Sequence, residues 1–302
     1  MTAPAQGIYG TIPPDLAAVP ADAVQFSPLM SGAATIETVT ERSLASMMVL
    51  APPGTLERRY VLALSLRALG VGGTLTVLAP RNRGGTRLRD ELKSFGVAVA
   101  EIARAHFRIC EAVRPAQLIS VDEAIAAGGP QFVAETGLWS QPGIFCWDRI
   151  DAGSHLLAEH LPSLEGCGAD LGCGTGYLAA RILESQRVMA LALVDIDRRA
   201  IDAARRNVID VRASFLRADA TTPLATGLDF VVTNPPFHAG GEENRALGLA
   251  VARAAAGALR KGGELFLVAN RHLAYATVLR EMFASVDVLA QDREFTVYRA
   301  VR

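Results

Sequence analysis

Apolar positions along the chain fall into two regimes, short runs of strand length and longer Ala/Leu-rich stretches of helical period. The runs Met47-Met48-Val49-Leu50 and Phe230-Val231-Val232-Thr233 both stop just before a pair of prolines. Each is followed by a helical stretch and then by a Gly-Gly pair that opens a second apolar run, Gly72 to Ala79 in the first half and Gly262 to Ala269 in the second. An arginine (Arg81, Arg271) and a helix carrying Glu91 or Glu281 come next in both halves. This repeated order predicts an internal duplication. Strands alternating with helices predict an α/β fold of two doubly wound domains. Residues 1 to about 40 show no sustained period and read as a loosely packed lead-in.

The second half supplies more elements. A short strand at Gly168 to Leu171 runs into a Gly-rich turn and a helix to about Glu184; a strand from Val188 to Val194 and a helix from Arg198 to Asn207 follow. The strand Ser214 to Arg217, the run ending at Thr233 and the Gly-Gly run come next, and Val286 to Ala290 with Phe295 to Val301 read as a terminal hairpin. Seven strands result, mostly parallel and closed by an antiparallel hairpin. The expected domains are 1–128, a degenerate copy kept for binding or packing; 129–150, a linker and site-wall segment; and 151–302, which carries the chemistry.

Composition narrows the class of protein more than its function. Half of the 302 residues are apolar, enough for a substantial core, and 30 basic against 31 acidic residues leave no global charge for nucleic acid, so any basic footprint must be local. Only Lys93 and Lys261 are lysines. Cys110, Cys146, Cys167 and Cys173 form no CxxC pair and no zinc spacing, which suits reduced thiols and predicts no metal site. Neither a signal-peptide pattern nor a spanning apolar run is present, so a cytoplasmic protein, not a membrane one, is expected.

The chemistry concentrates where the two halves differ. Asn234-Pro235-Pro236-Phe237 ends a buried strand at the sheet edge where open α/β folds hold ligands. Asn234 and the Pro235 peptide offer carbonyl acceptors and Phe237 offers a stacking face, a set suited to an sp² amine on a planar ring. An ordinary strand-end turn is the plainer alternative. In the first half Ala51 and Gly54 stand where Asn234 and Phe237 stand in the second, so that copy lacks both acceptor and ring. Its segment Arg81 to Lys93 reads as a solvated helix before it reads as a phosphate contact.

Asp170-Leu171-Gly172-Cys173-Gly174-Thr175-Gly176 is a strand leading into a turn whose glycines let a ligand approach the backbone. Such a turn also serves dinucleotides, and Asp195, 19 residues beyond Gly176, suits a ribose hydroxyl in either case. Asp170 separates the two. A carboxylate at the mouth of the turn repels a pyrophosphate, whereas S-adenosylmethionine presents an ammonium and a sulfonium. Asp219 is placed to accept from an adenine amine, with a surface-turn aspartate as the alternative. Asp151, in the irregular segment Gln141 to Ser154, reads either as a wall beside an entering cation or as part of a connecting loop with a helix N-cap at Ser154.

Asp170 to Gly176, Asp195, Asp219 and Asn234 to Phe237, in this order, resemble the motifs of class I S-adenosylmethionine-dependent methyltransferases acting on exocyclic nitrogens. Pro142-Gly143-Ile144-Phe145, Asp151-x-Gly153-Ser154, His238, Val268-Ala269-Asn270 and Phe295-x-Val297-Tyr298-Arg299-Ala300 are similar to ribosomal RNA guanine-N2 methyltransferases of the RsmC/RlmG type. That family also has a degenerate N-terminal copy. The resemblance implies cofactor contacts from Asp170, Gly172, Gly174, Gly176, Asp195, Asp219, Ala220 and Asp151, and catalysis by Asn234, Pro235 and Phe237. It further implies methylation of guanine N2 in small-subunit (16S) ribosomal RNA, as naked RNA or within a ribosomal subunit; a monomer is expected. Rival targets of the same loop are large-subunit rRNA, adenine or cytosine in DNA, and protein glutamine. A cofactor-sensing RNA-binding factor without activity is the rival from outside enzymology.

Overall fold

A computed structural model describes residues 5–222, 226–235, 242–273 and 275–302 of the chain. They divide into two compact units, 1–130 and 131–302. Among the described residues no helix is long and apolar enough to cross a membrane.

The first unit contains, in order, β1 (Ala5–Tyr9), β2 (Val24–Phe26), β3 (Leu44–Leu50), α1 (Thr55–Ala68), β4 (Leu69–Pro80), α2 (Leu88–Lys93), β5 (Val99–Arg104), β6 (Phe107–Val113) and α3 (Val121–Gly128). Its strands form one sheet in the order β2-β1-β3-β4-β6-β5, parallel except where β6 joins β4 and β5. The main core lies on the α1 side, where Val61, Leu62 and Leu66 meet Met47, Val49, Leu75 and Val77. The lead-in is not loose. Ile8, Tyr9 and Phe26 are buried, and Ile12 and Leu16, from the irregular segment between β1 and β2, cover Leu78 and Ile109 on the other face. Strands of five and three residues are too short to show a period, which is why alternation failed to reveal them.

The second unit begins with a hairpin, β7 (Gln131–Val133) and β8 (Leu138–Ser140), that stands apart from the main sheet. Then come α4 (Ala152–His160), β9 (Gly166–Leu171), α5 (Tyr177–Ile182), β10 (Val188–Asp195), α6 (Arg198–Asn207), β11 (Ala213–Arg217), β12 (Leu228–Thr233), α7 (Glu242–Ala258), β13 (Leu259–Asn270), α8 (Tyr275–Met282), β14 (Ser285–Gln291) and β15 (Phe295–Val301). The seven-stranded sheet runs β11-β10-β9-β12-β13-β15-β14, with β15 antiparallel to β13 and β14. Both faces are covered: one core joins Leu178, Ile182, Ile201, Phe230 and Phe266, the other Val231, Val251, Ala255, Leu265 and Leu279. The buried apolar run Phe230-Val231-Val232 at the centre of β12 is what burial on both faces requires.

The two sheets repeat one plan. Matching β1, β2, β3, β4, β5 and β6 to β9, β10, β12, β13, β14 and β15 reproduces the strand order, with only β11 lacking a counterpart. Among the described residues no α-helix follows β1 or β2 as α5 and α6 follow β9 and β10. The strand order therefore repeats as the Pro-Pro and Gly-Gly runs lead one to expect.

Candidate active site

The loop Gly172–Gly176 leaves β9 in a left-handed conformation at three glycines, with φ of +72° at Gly172, +52° at Gly174 and +85° at Gly176. A Cβ on Gly172 or Gly174 would meet nothing within 4 Å, so these two glycines face open space that a ligand can approach. Gly176 differs in kind. A Cβ there would lie 2.9 Å from Val208, so this glycine lets the start of α5 pack against α6 and does not face the cleft.

Two carboxylates lie next to the loop. Asp195, at the end of β10, accepts from the amide of Gly174 at 2.9 Å and from that of Asp197 at 2.9 Å. Burial raises its pKa, and the two amides offset part of the rise. Asp170 is fully buried, and no hydrogen-bond partner among the described residues reaches either of its oxygens. It lies beneath the loop, which corrects the expectation of a carboxylate at the loop's mouth: a β9 side chain pointing into the sheet's packing layer is covered before the glycines begin. Burial first, and the Asp195 charge second, push its pKa up to about 7. The Ala179 amide pulls the other way without reaching hydrogen-bond geometry. A buried carboxylate without a donor is the kind of group a bound cation relieves.

Asn234 stands directly after β12. Its Nδ2 donates to Asp151 Oδ2 at 2.7 Å and to Ser154 Oγ at 2.7 Å. Because a carboxylate only accepts, the contact with Asp151 fixes which end of the carboxamide is nitrogen. Oδ1 is left to accept from something else. Asp151 also takes the Ser154 amide at 2.8 Å and so is the N-cap of α4. The cap is Asp151, not Ser154, because an aspartate three residues ahead reaches the free amide of the first turn. Asn234, Asp151 and Ser154 line a small cleft together with Gly172, Gly174 and Tyr177.

Of the other expected residues, Pro235 is buried at the end of β12, and Ala220 packs partly buried against the core that contains Val231. Asp219 is exposed, with Oδ1 accepting from the Thr221 amide at 2.8 Å and its hydroxyl at 2.7 Å, so its present contacts are those of a turn. Phe237 and His238 lie outside the described residues. Asp170 and Gly176 lie behind the cleft; Asp151, Gly172, Gly174 and Asn234 come together at it.

Three participants escaped the sequence reading. Ser154 reads in the sequence only as a cap. Cys146 lines the cleft in a left-handed conformation (φ +48°), with its thiol pKa raised by burial and by Asp151. Arg199 is buried, pairs with Asp197 at 2.8 Å and reaches the carbonyls of Pro142 at 3.5 Å and Gly143 at 3.4 Å, which ties the cleft wall to α6. The spacing Asp-x-Gly-Ser carried a signal for the first; nothing local marks the other two.

A larger cavity of about 610 Å³ opens at the opposite end of the strands. Its charges pair among themselves, Arg187 with Glu165, Arg260 with Asp229 and Arg299 with Glu264, so volume there does not come with uncommitted chemistry.

Residues 135–299 match the methyltransferase small domain. The ribosomal RNA small subunit methyltransferase C of Erwinia tasmaniensis is 32% identical over 269 residues, covering 83% of this chain and 74% of that protein. The ribosomal RNA large subunit methyltransferase G of Streptomyces avermitilis is 36% identical over 166 residues, but the match covers 53% of this chain and only 44% of that protein. Among solved structures, the T. thermophilus 16S rRNA N2 G1207 methyltransferase in complex with AdoMet and guanosine is similar in fold, with a TM-score of 0.74, 24% identity and coverage of 89% and 76% of the two chains.

Proposed function

The chain belongs to the methyltransferase small-domain family of class I S-adenosylmethionine-dependent enzymes, and from that premise we propose that it methylates the exocyclic N2 amine of guanine in small-subunit ribosomal RNA. The observation that carries the reading is the committed nitrogen of Asn234. Two acceptors at 2.7 Å hold Nδ2, so Oδ1 is the atom available to an incoming N–H. An amine conjugated with a ring is a poor nucleophile until its lone pair is drawn out of the ring plane. Acceptors at Asn234 and the Pro235 carbonyl favour that geometry and make catalysis a matter of orientation and not of a strong base. Phe237 holds the base by stacking in this reading.

The residues present fit S-adenosylmethionine. Gly172 and Gly174 face open space, and Asp170 is a buried carboxyl without a donor beneath them. When bound, the cofactor supplies an electrophilic methyl group on a sulfonium. Asp195 would hold the ribose, Asp219 and Ala220 the adenine end, and Asp170 the charge of the methionine end from below. Asp151 serves this reading chiefly through Asn234. The first unit, with Ala51 and Gly54 in place of Asn234 and Phe237, contributes binding or packing.

The small-subunit target is preferred over the large-subunit one because likeness to the E. tasmaniensis protein extends through most of both chains, whereas likeness to the S. avermitilis protein is confined to about half of this one. A cytoplasmic monomer is the state in which such an enzyme meets RNA or a ribosomal subunit. Transfer of tritiated methyl groups to naked rRNAs, isolated subunits, DNA and release factor, followed by nucleoside analysis, tests the proposal. Label in N2-methylguanosine of small-subunit rRNA is expected. Label confined to DNA or protein overturns it.

A further inference from the structure

We propose that the β7–β8 hairpin and the end of α6 form a docking platform for single-stranded RNA flanking the target nucleotide, a step that rests on the rRNA reading above. Phe132 and Trp139 face each other across the hairpin with ring centroids 6.2 Å apart and planes at 69°. As a cross-strand pair they help hold the hairpin. Their exposure goes beyond that role, since 56% of Phe132 and 38% of Trp139 remain open to solvent. Arg206 lies over the Trp139 ring at 4.8 Å, and on the same helix Arg205 lies over Phe215 at 4.9 Å.

The charge on this surface is local and uncompensated. Arg198 pairs with Asp202 and Arg199 with Asp197, whereas neither Arg205 nor Arg206 joins an ion pair among the described residues. Exposed rings offer faces to unpaired bases, and guanidinium groups stacked beside them offer donors to phosphate. Together these are the two components of sequence-tolerant single-strand binding. A chain whose charges nearly cancel needs such a footprint in one place.

The platform is joined to the catalytic cleft by one side chain. Asn207 accepts from the Trp139 amide at 2.7 Å, and its Nδ2 donates to the carbonyl of Trp139 at 2.8 Å and to that of Thr175, on the cleft rim, at 2.8 Å. The chain leaving β8 then runs through Phe145 to Asp151 along the cleft wall. RNA lying on Trp139 and Arg206 therefore lies beside the cleft rim at Thr175.

The test is binding of a fluorescein-labelled single-stranded oligoribonucleotide to the full chain, measured across salt, with cofactor affinity and melting temperature followed in parallel. Trp139→Ala is expected to weaken binding about tenfold. Arg205→Ala with Arg206→Ala is expected to lower the slope of log K against log salt by about 1.4, the contribution of roughly two single-strand phosphate contacts. Arg206→Glu, at an exposed position, gives loss of RNA binding with an unchanged melting temperature, so a folding defect in Trp139→Ala does not blur the outcome. Parental affinity and salt slope in all three variants overturn the platform while leaving the methylation reading intact. An unmodified chain that ignores the RNA probe and labels only protein or DNA removes both.

Discussion

Asn234 Nδ2 lies 2.7 Å from Asp151 Oδ2, and the same carboxylate oxygen caps α4 by accepting the Ser154 amide at 2.8 Å. One aspartate thus sets the start of a helix and the orientation of the carboxamide at the end of β12. Helix capping and site geometry are coupled through a single side chain. The coupling separates two kinds of defect.

Asn234→Ala removes the acceptor and is expected to abolish turnover with cofactor affinity nearly unchanged. Asp151→Ala removes both the cap, worth about 1 kcal/mol of stability, and one of the two holds on Asn234. It should lower kcat at least about tenfold while also lowering the melting temperature. Ser154→Ala keeps the cap, whose donor is a backbone amide, and loosens only Asn234, so kcat should fall without a comparable loss of stability. Methyl transfer and thermal unfolding measured on the three variants give the pattern. Full turnover in Asn234→Ala would refute the role outright.

Asp195 is expected to matter twice. A carboxylate that binds ribose hydroxyls contributes about 1.5 to 3 kcal/mol through charged hydrogen bonds, and this one also holds the Gly174 amide in place. Asp195→Ala should weaken cofactor binding about tenfold or more, and Asp195→Asn, which keeps one acceptor for the amide, should fall in between. Calorimetry reporting equal affinities for all three forms would remove Asp195 from the cofactor site.

Much of this was legible in the sequence because it is local. The Gly-rich turn, the strand-end Asp195 and the Asn-Pro-Pro run each occupy a few consecutive residues whose types state their purpose, and the family resemblance rests on them. What was not legible depends on distance along the chain. Asp151 and Asn234 are 83 residues apart and Arg58 and Glu91 are 33 apart, so no spacing rule joins them. Asp170 was legible as an acid but not as a buried one, since burial follows from how the loop folds back over β9. The lead-in failed for a different reason: β1 and β2 contribute too few residues to display a period, and among the described residues no α-helix follows either of them to announce it.

Asp170 makes stability fall as pH rises. Its folded pKa of about 7 stands above the ordinary aspartate value of 3.8, so between these values the folded state holds a proton that the unfolded state has lost. Its contribution is fully present below about pH 4 and is lost as pH rises through about 7. Other carboxylates act in the opposite sense, Asp229 among them, with a pKa lowered by the Cys167 amide and then by Arg260. The difference between parent and variant isolates the effect. Asp170→Asn, neutral at every pH, should gain stability relative to the parent as pH is raised from 5 to 8, by an amount that grows across that window. Denaturant melts at several pH values give the comparison, and a constant difference would show that Asp170 is ionised throughout.

The first unit makes the last prediction, because its Pro-Pro loop has been put to another use. Arg58 is wholly buried; its Nη1 donates to the carbonyls of Pro52 at 3.1 Å and Pro53 at 2.7 Å, and its Nε and Nη2 meet Glu91 at 2.7 and 2.6 Å. These loop carbonyls correspond to those of Pro235 and Pro236 in the second copy. The first copy fills its loop carbonyls with its own guanidinium, and Glu91, expected on a solvated helix, is instead the buried counter-ion of that group. Glu91→Ala leaves a buried cation without its partner and should cost about 3 to 5 kcal/mol. Arg58→Met with Glu91→Leu removes both charges and should cost far less, because no orphan remains. Gly84, left-handed at φ +94°, lies against the Arg58 guanidinium and leaves no room for a side chain there. If Glu91→Ala melts like the parent, the guanidinium is neutralised by another route and the loop is not held closed by this pair.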